Sequence, residues 1–171
     1  MSQPQAKLMH RDLVEQYEKG QQKLSLAIRG LTGEDLRTRP PADAPADAGK
    51  WSAQEVAVHL ADAEVAFADR IRRIVAMDEP VLQAWDENRF TERLMYDEQS
   101  AEDAAALVEV TRRQLSKLLK KLPDEAFSRT GRHTERGRQT LTDVLKYAVE
   151  HLDHHVRFIH RKREVMGKEM W

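Results

Sequence analysis

The chain has no cysteine, and this absence removes several kinds of chemistry at once. Without cysteine the protein has no disulfide, no thiolate ligand for a metal and no cysteine nucleophile. Any thiol chemistry would need a thiol that arrives with a substrate. No apolar run is long enough to span a bilayer, and the N-terminal segment MSQPQAKLMHRDL has no apolar stretch of signal-peptide length. We therefore expect a cytoplasmic protein without a membrane partner.

Neither sign of charge dominates the chain. Its 28 lysine and arginine residues nearly balance 29 aspartate and glutamate residues, which leaves a formal net charge of -1. A domain that binds nucleic acid usually carries a clear excess of basic residues. The balance therefore argues against a nucleic-acid partner, and the partner that we expect is a small-molecule substrate.

Aromatic residues make up only 6% of the 171 residues, whereas alanine, leucine and charged residues with long side chains are abundant. This composition, with apolar residues at helical spacing, predicts an all-α protein with a single domain over residues 1–171. Long helices separated by connections predict a bundle of about four helices. The expected helices run from about Ala6 to Leu31, from a Ser52 cap with a Glu55 capping box, from about Ser100 to Pro123, and from a Thr140 cap to Met166.

Three connections are expected between these helices. The first, Arg39 to Lys50, is rich in proline and alanine, and the second, Met77 to Phe90, is predicted to be a loop with a short helical turn. The third has the sequence SRTGRHTERGRQ and is predicted to be flexible and basic. It carries arginines that could attract an anionic substrate or could simply be solvated, namely Arg132, Arg136 and Arg138.

Three histidines occupy positions where a helical protein usually has apolar residues. His59 lies on the apolar stripe of the second predicted helix, and His151 and His155 are one turn apart on the last one. We refer to them as the histidine triad. Two imidazoles from one helix and one from another can hold a metal ion and leave other positions open, as catalytic metal sites do. Three imidazoles suit zinc, nickel, copper or iron(II).

A second interpretation of the histidine triad needs no metal. A buried histidine is commonly satisfied by a backbone carbonyl or a neighbouring side chain, and an unpartnered one costs about 1–3 kcal/mol. Three buried histidines that each carry this cost are harder to explain than three histidines that share one metal ion. Periodicity does not establish that the two helices meet, so both interpretations stand on the residues alone.

Other polar residues near the histidine triad have weaker assignments. Asp62 lies one turn after His59 and could act as a base, or could orient a ligand imidazole from outside the metal's coordination shell. It could equally be an exposed acid on the helix shoulder. Glu64 and Asp69 are predicted to be solvated. The remaining histidines lack a partner at ligand spacing or lie on solvated faces, namely His10, His133, His154 and His160.

Three segments of the chain together resemble the DinB/YfiT-like family. They are WSAQEVAVHLADAE, MDEPVLQAWDENRF and GRQTLTDVLKYAVEHLDHH, in this order and spacing. The resemblance covers most of the chain and implies a four-helix bundle with up-down-down-up topology that is often a homodimer. It also implies a divalent metal, most often nickel or zinc, at three histidines that correspond to His59, His151 and His155.

The resemblance implies more than one activity. Some relatives transfer bacillithiol, mycothiol or glutathione, one group isomerises maleylpyruvate with mycothiol, and others have been proposed as metal-dependent hydrolases. The leading hypothesis is a metal-dependent transferase whose co-substrate is a low-molecular-weight thiol. The alternatives are a hydrolase that uses a metal-activated water, with Asp62 as its base, and a non-enzymatic dimeric protein that acts in binding or in a stress response.

Overall fold

Four long helical segments build most of the molecule. The computed structural model describes residues 3–169, with side chains from residue 9 onward. Among these residues no helix is long and apolar enough to cross a membrane. The first segment consists of α1 (Gln3–Lys19), a 3-10 turn (Gly20–Gln22) and α2 (Lys23–Ile28), and the others are α4 (Ala53–Ala76), α6 (Ala101–Leu119) and α7 (Leu141–Val165).

Short elements fill the connections between the long helices. Two are α-helices, α3 (Gly33–Arg37) and α5 (Glu87–Arg93). Three are 3-10 turns, at Ala46–Ala48, Tyr96–Glu98 and Asp124–Ser128. Three are strands, β1 (Val81–Leu82), β2 (Thr130–His133) and β3 (Gly137–Thr140).

The long helices α4 and α7 begin at the residues that the sequence indicates. The Ser52 side chain accepts a hydrogen bond from the backbone of Glu55, and the Glu55 side chain accepts one from the backbone of Ser52. Thr140 and Asp143 form the same capping box at the start of α7. These pairs satisfy backbone N–H groups that a helix start leaves without partners. Both predicted caps are confirmed.

The prediction of one continuous helix from Ala6 to Leu31 is wrong, because the helix changes to a 3-10 turn at Gly20. At this turn a side chain from α6 packs against the backbone. A Cβ atom at position 20 would overlap the guanidinium of Arg112. That guanidinium also donates a hydrogen bond to the Tyr17 carbonyl, at 3.4 Å. Glycine at position 20 therefore lets the Arg112 side chain approach the backbone, and the sequence of the first helix alone does not reveal this contact.

The segment predicted to be a flexible basic loop, Ser128 to Gln139, forms a β-hairpin instead. Strand β2 pairs antiparallel with β3, with Arg132 opposite Arg138, and pairs parallel with β1. Leu82 of β1 packs directly on Gly131, where a Cβ would overlap it. The all-α prediction is therefore correct for the bundle and omits a small three-stranded sheet. These strands are two to four residues long and lack apolar alternation, so periodicity does not reveal them.

Helix α4 lies at the centre of the packing and contributes to both apolar clusters of the core. One cluster contains Leu60 together with Leu24 and Leu152, and the other contains Ile71 and Leu145. Because α4 packs against both α6 and α7, polar residues on its flanks are buried as well. This central position of α4 brings His59 against α7.

A buried ion pair joins the helices around α4. The Arg112 guanidinium on α6 lies 2.8 Å from a Glu64 carboxylate oxygen on α4 and donates to the Ala148 carbonyl on α7 at 2.7 Å. The Tyr17 hydroxyl donates to the same carboxylate. Burial, followed by the charge of Glu64, raises the pKa of Tyr17 well above its ordinary value. The prediction that Glu64 is solvated is therefore wrong. Its partners lie in distant segments of the chain, so the local sequence does not reveal them.

Candidate metal centre

The structure brings the three residues of the histidine triad together. One ring nitrogen from each lies within 4.8 Å of the others, and Nε2 of His59 is 3.2 Å from Nε2 of His151. His59 is fully buried on α4, whereas His151 and His155 on α7 are partly exposed. The i, i+4 spacing aligns the two α7 histidines, and the contact between α4 and α7 supplies the third.

Burial keeps the imidazoles of the histidine triad neutral. Burial alone lowers the pKa of His59 to about 4. Burial, with a smaller effect from His59, lowers the pKa of His151 to about 3. Burial, with a smaller effect from His151, lowers the pKa of His155 to about 2. At neutral pH all three rings therefore have a free lone pair, which a metal ligand needs.

Two nitrogens of the histidine triad lack a hydrogen-bond partner. Among the residues that the structure describes, nothing bonds the buried Nδ1 atoms of His59 and His155. A buried polar atom without a partner costs about 1–3 kcal/mol. A cation bound by one nitrogen of each ring would satisfy the lone pairs that converge between α4 and α7. The three neutral imidazoles therefore fit one divalent cation, with coordination positions left for other ligands.

Aromatic rings enclose the histidine triad. The rings of Trp51 and Trp85 lie 5.0 Å and 5.5 Å from the imidazole of His59, measured between ring centroids. The ring of Tyr147 lies 5.8 Å from that of His151. These side chains hold the imidazoles in place and keep water away from part of their surface. Sequence reasoning did not assign the tryptophans to the site, because they precede or follow α4 in irregular segments.

Asp62 lies outside the cluster of ring nitrogens. Its carboxylate accepts a hydrogen bond from the Tyr96 hydroxyl, and burial, followed by this contact, raises the pKa of Tyr96. Within residues 3–169 no hydrogen bond joins Asp62 to a ring of the histidine triad. The assignment of Asp62 as a base, or as a residue that orients a ligand, stays a prediction.

Glu87 is an acidic residue at the site that the sequence analysis missed. It is the first residue of α5, and its Oε2 atom lies 4.0 Å from Nε2 of His59. The side chain is 55% exposed, so it can exchange protons with solvent. Asp86 caps α5 by accepting hydrogen bonds from two backbone N–H groups, which fixes where α5 begins. Periodicity could not assign Glu87, because it lies in a connection far from His59 in sequence.

A cavity of about 310 Å³ opens beside His151, and we call it the site cavity. His133 is buried in its wall, outside the histidine triad, with Nδ1 accepting hydrogen bonds from two backbone N–H groups. Of the three arginines proposed to attract an anion, only Arg136 lines it. The lining residues are Ala63, Phe67, Arg70, Ala84, Trp85, Asp86, Glu87, His133, Glu135, Arg136, Tyr147 and His151.

The metal-free protein is expected to lose stability as the pH falls below 6.5, the ordinary pKa of histidine. The folded protein holds the pKa values of the histidine triad at about 4, 3 and 2, so below 6.5 the unfolded chain binds more protons. Each histidine then removes about 1.4 kcal/mol of unfolding free energy per pH unit. Urea unfolding between about pH 7.5 and pH 5 measures this slope. An equal slope in a variant with all three histidines replaced by alanine would contradict the expectation.

Comparison with known proteins places this helical bundle and its three-histidine cluster in a family. Residues 16–159 match the model of the DinB superfamily, and the chain belongs to that superfamily. It is 27% identical over 148 residues to "Putative metal-dependent hydrolase YfiT" of Bacillus subtilis, which covers 85% of this chain and 79% of that protein. It is 26% identical over 111 residues to "Putative metal-dependent hydrolase OB0782" of Oceanobacillus iheyensis, which covers 65% of this chain and 64% of that one.

A solved structure supports the bundle architecture. YfiT from Bacillus subtilis superposes with a TM-score of 0.83 at 24% sequence identity, covering 99% of this chain and 91% of that one. That protein is described as a four-helix bundle of unusual topology. The similarity shows that the two chains share a fold. The up-down-down-up order and the homodimer expected from the resemblance stay predictions.

Proposed function

We propose that this protein is a metal-dependent transferase in which a low-molecular-weight thiol is the nucleophile and a small electrophilic molecule is the acceptor. One observation carries the proposal: three neutral imidazoles converge within 4.8 Å, and one of them, His151, lines a cavity that a small molecule can enter. The histidine triad binds the cation, with nickel and zinc as the leading choices. The chain contains no cysteine, so the thiol must be a substrate.

A bound divalent cation supplies positive charge that lowers the pKa of a thiol or a water beside it. The protein residues then have separate tasks. The histidine triad fixes the position of that charge, and Trp51 and Trp85 keep bulk water from part of it. Glu87 accepts the proton of the thiol, since its carboxylate is 4.0 Å from His59 and open to solvent. The sulfur electron pair forms the bond to the electrophilic carbon, whose leaving group departs.

The family resemblance supports the choice of a thiol, because some relatives transfer glutathione, mycothiol or bacillithiol. Hydrolysis is the second candidate, and the names of the relatives from Bacillus subtilis and Oceanobacillus iheyensis favour it. In that reaction water replaces the thiol, and its proton passes to Glu87 or Asp62. The same histidine triad would serve both reactions, so the nucleophile distinguishes them.

The test compares two substrate classes with and without a thiol. Protein purified without nickel resin is loaded with one equivalent of zinc or nickel and assayed against an aryl halide and an aryl ester. Transfer predicts an adduct only when glutathione or another low-molecular-weight thiol is present. Hydrolysis predicts acid release from the ester without any thiol.

Two variants control this assay. Replacing the whole histidine triad with alanine should abolish metal retention and either activity, whereas His154→Ala, at an exposed position on the same helix, should preserve both. A parent protein that takes up no metal would overturn both enzymatic candidates and leave a binding role. Equal activity in the triad variant would overturn the assignment of the site.

A further inference from the structure

Two arginines from different elements line the site cavity, together with His151 of the histidine triad. Arg70 comes from α4 and is only 7% exposed, whereas Arg136 comes from the turn between β2 and β3. They are far apart in sequence, and the hairpin that follows the third long helix brings them to the same cavity.

Neither guanidinium is neutralised by a carboxylate. Within residues 3–169, no carboxylate oxygen lies within 4.0 Å of a nitrogen of Arg70 or Arg136. Arg70 donates through Nη2 to the Gln83 carbonyl at 2.7 Å. Arg136 donates through Nη2 to the Tyr147 hydroxyl at 2.9 Å and stacks 4.1 Å above the Tyr147 ring. These neutral contacts hold the two cations in place and leave other N–H groups for a ligand.

Keeping two like charges together in a recess is unfavourable without an anion. Burial, followed by the charge of Arg136, lowers the pKa of Arg70. The same two arginines add to the burial of His133 in lowering the pKa of that ring. The wall of the site cavity beside His151 therefore has a local excess of positive charge.

The acidic residues of the site cavity offset only part of this excess. Asp86 is occupied in capping α5, and Glu87 faces His59. Glu135 is exposed and lies more than 4.0 Å from both guanidinium groups. Two of the three carboxylates therefore lie at α5, whereas Glu135 lies in the β2–β3 turn beside Arg136 and offsets part of the charge of the two arginines.

We propose that Arg70 and Arg136 form a subsite that binds a carboxylate of the substrate while its reacting end lies at the histidine triad. The orientation of that substrate rests on the proposed function, whereas binding of the carboxylate does not. Arginine pairs with carboxylates through charge-assisted hydrogen bonds that fix direction as well as charge. Cellular thiols such as glutathione carry carboxylates and match this subsite.

The test measures binding to the metal-free protein, so that neither metal nor catalysis affects the result. S-methylglutathione is the probe, because it retains both carboxylates and has no free thiol. Its diethyl ester keeps the ammonium group and lacks both carboxylates, so it is the control for the carboxylates, and inorganic phosphate distinguishes a carboxylate subsite from a phosphate subsite. Isothermal titration calorimetry gives the dissociation constant of each probe.

Four variants make the assignment specific. Arg70→Gln and Arg136→Gln should each weaken S-methylglutathione binding about tenfold or more, since a hydrogen bond to a charged group is lost. Arg132→Gln removes an exposed arginine on β2 outside the site cavity and should leave binding unchanged. Glu135→Gln removes a nearby negative charge and should tighten binding about two- to fivefold. If Arg136 had only a structural role, the Glu135→Gln substitution would not tighten binding of S-methylglutathione.

Several outcomes would contradict the proposed subsite. Equal affinity of the diester, unchanged affinity in Arg136→Gln, or no binding of S-methylglutathione to the parent contradicts a carboxylate subsite. Binding of phosphate alone would assign the arginines to a different anion and likewise contradicts the proposal. Arg136 is exposed, so its variant tests the subsite even if Arg70→Gln fails to fold. A protein that binds the probe but takes up no metal would retain the subsite and lose the proposed function.

Discussion

Replacing His151 with alanine is expected to abolish stoichiometric binding of a divalent cation at neutral pH. The residue supplies one of three ring nitrogens that lie within 4.8 Å of one another, and it touches the ring of His59 directly. Loss of a residue that only supports a metal ligand costs roughly 10–100-fold in affinity, so loss of a ligand should exceed about 100-fold. Elemental analysis after dialysis against zinc or nickel measures the remaining metal.

Thermal unfolding gives a second measure of the same change. A cation that binds only the folded protein stabilises it by about 2.7 kcal/mol at a hundred times its dissociation constant. Added metal should therefore raise the unfolding temperature of the parent and have no effect on His151→Ala. His154→Ala is the matched control, since His154 is exposed on the same helix and lies outside the cluster. One retained equivalent of metal in His151→Ala would contradict the assignment of His151 as a metal ligand.

Replacing Glu64 with alanine is expected to lower the free energy of unfolding by about 3–5 kcal/mol. The side chains of Glu64 and Arg112 are only 3% and 1% exposed, so the substitution leaves the Arg112 charge buried without its counter-ion. The Tyr17 hydroxyl loses its acceptor as well. Urea denaturation measures the change, with the midpoint and the slope reported separately.

Asp69→Ala is the matched control for Glu64→Ala. Asp69 also lies on α4 and forms an ion pair, but its side chain is 57% exposed and that of Arg73 is 47% exposed. Exposed ion pairs typically contribute about 0–1 kcal/mol, so this variant should lose little stability. Adding Arg112→Met to Glu64→Ala should recover part of the loss, because the unpaired charge is gone. A loss in Glu64→Ala no larger than that in Asp69→Ala would contradict the importance of the buried pair.

The Glu64–Arg112 pair also connects stability to the candidate metal centre. Arg112 donates to the Ala148 carbonyl, which lies one turn before His151 on α7. The pair therefore links the helix that carries His59 to the helix that carries His151 and His155. The contacts of Arg112 with Glu64 and Ala148 therefore help to fix the distance between the two helices that carry the histidine triad.

Features that depend on residues close together in the chain could be predicted without the structure. Ser52 with Glu55, and Thr140 near Asp143, mark helix starts because a cap needs a side chain and backbone N–H groups within three residues. The apolar stripes of the long helices follow from the 3.6-residue period. The same period placed His59, and separately His151 with His155, on buried faces.

Which of these residues meet depends on how distant segments pack against one another. The contact between α4 and α7 joins His59 to the other two histidines, and α5 brings Glu87 beside them. Glu64 is buried and Asp69 is exposed although both lie on α4, because only Glu64 has the buried Arg112 as its partner. Arg70 and Arg136 line the same cavity because the β2–β3 hairpin folds over α4. The strands of that hairpin are too short and too polar to show periodicity. Local spacing fixes the direction of a side chain within its own helix, whereas its partners depend on how distant segments pack.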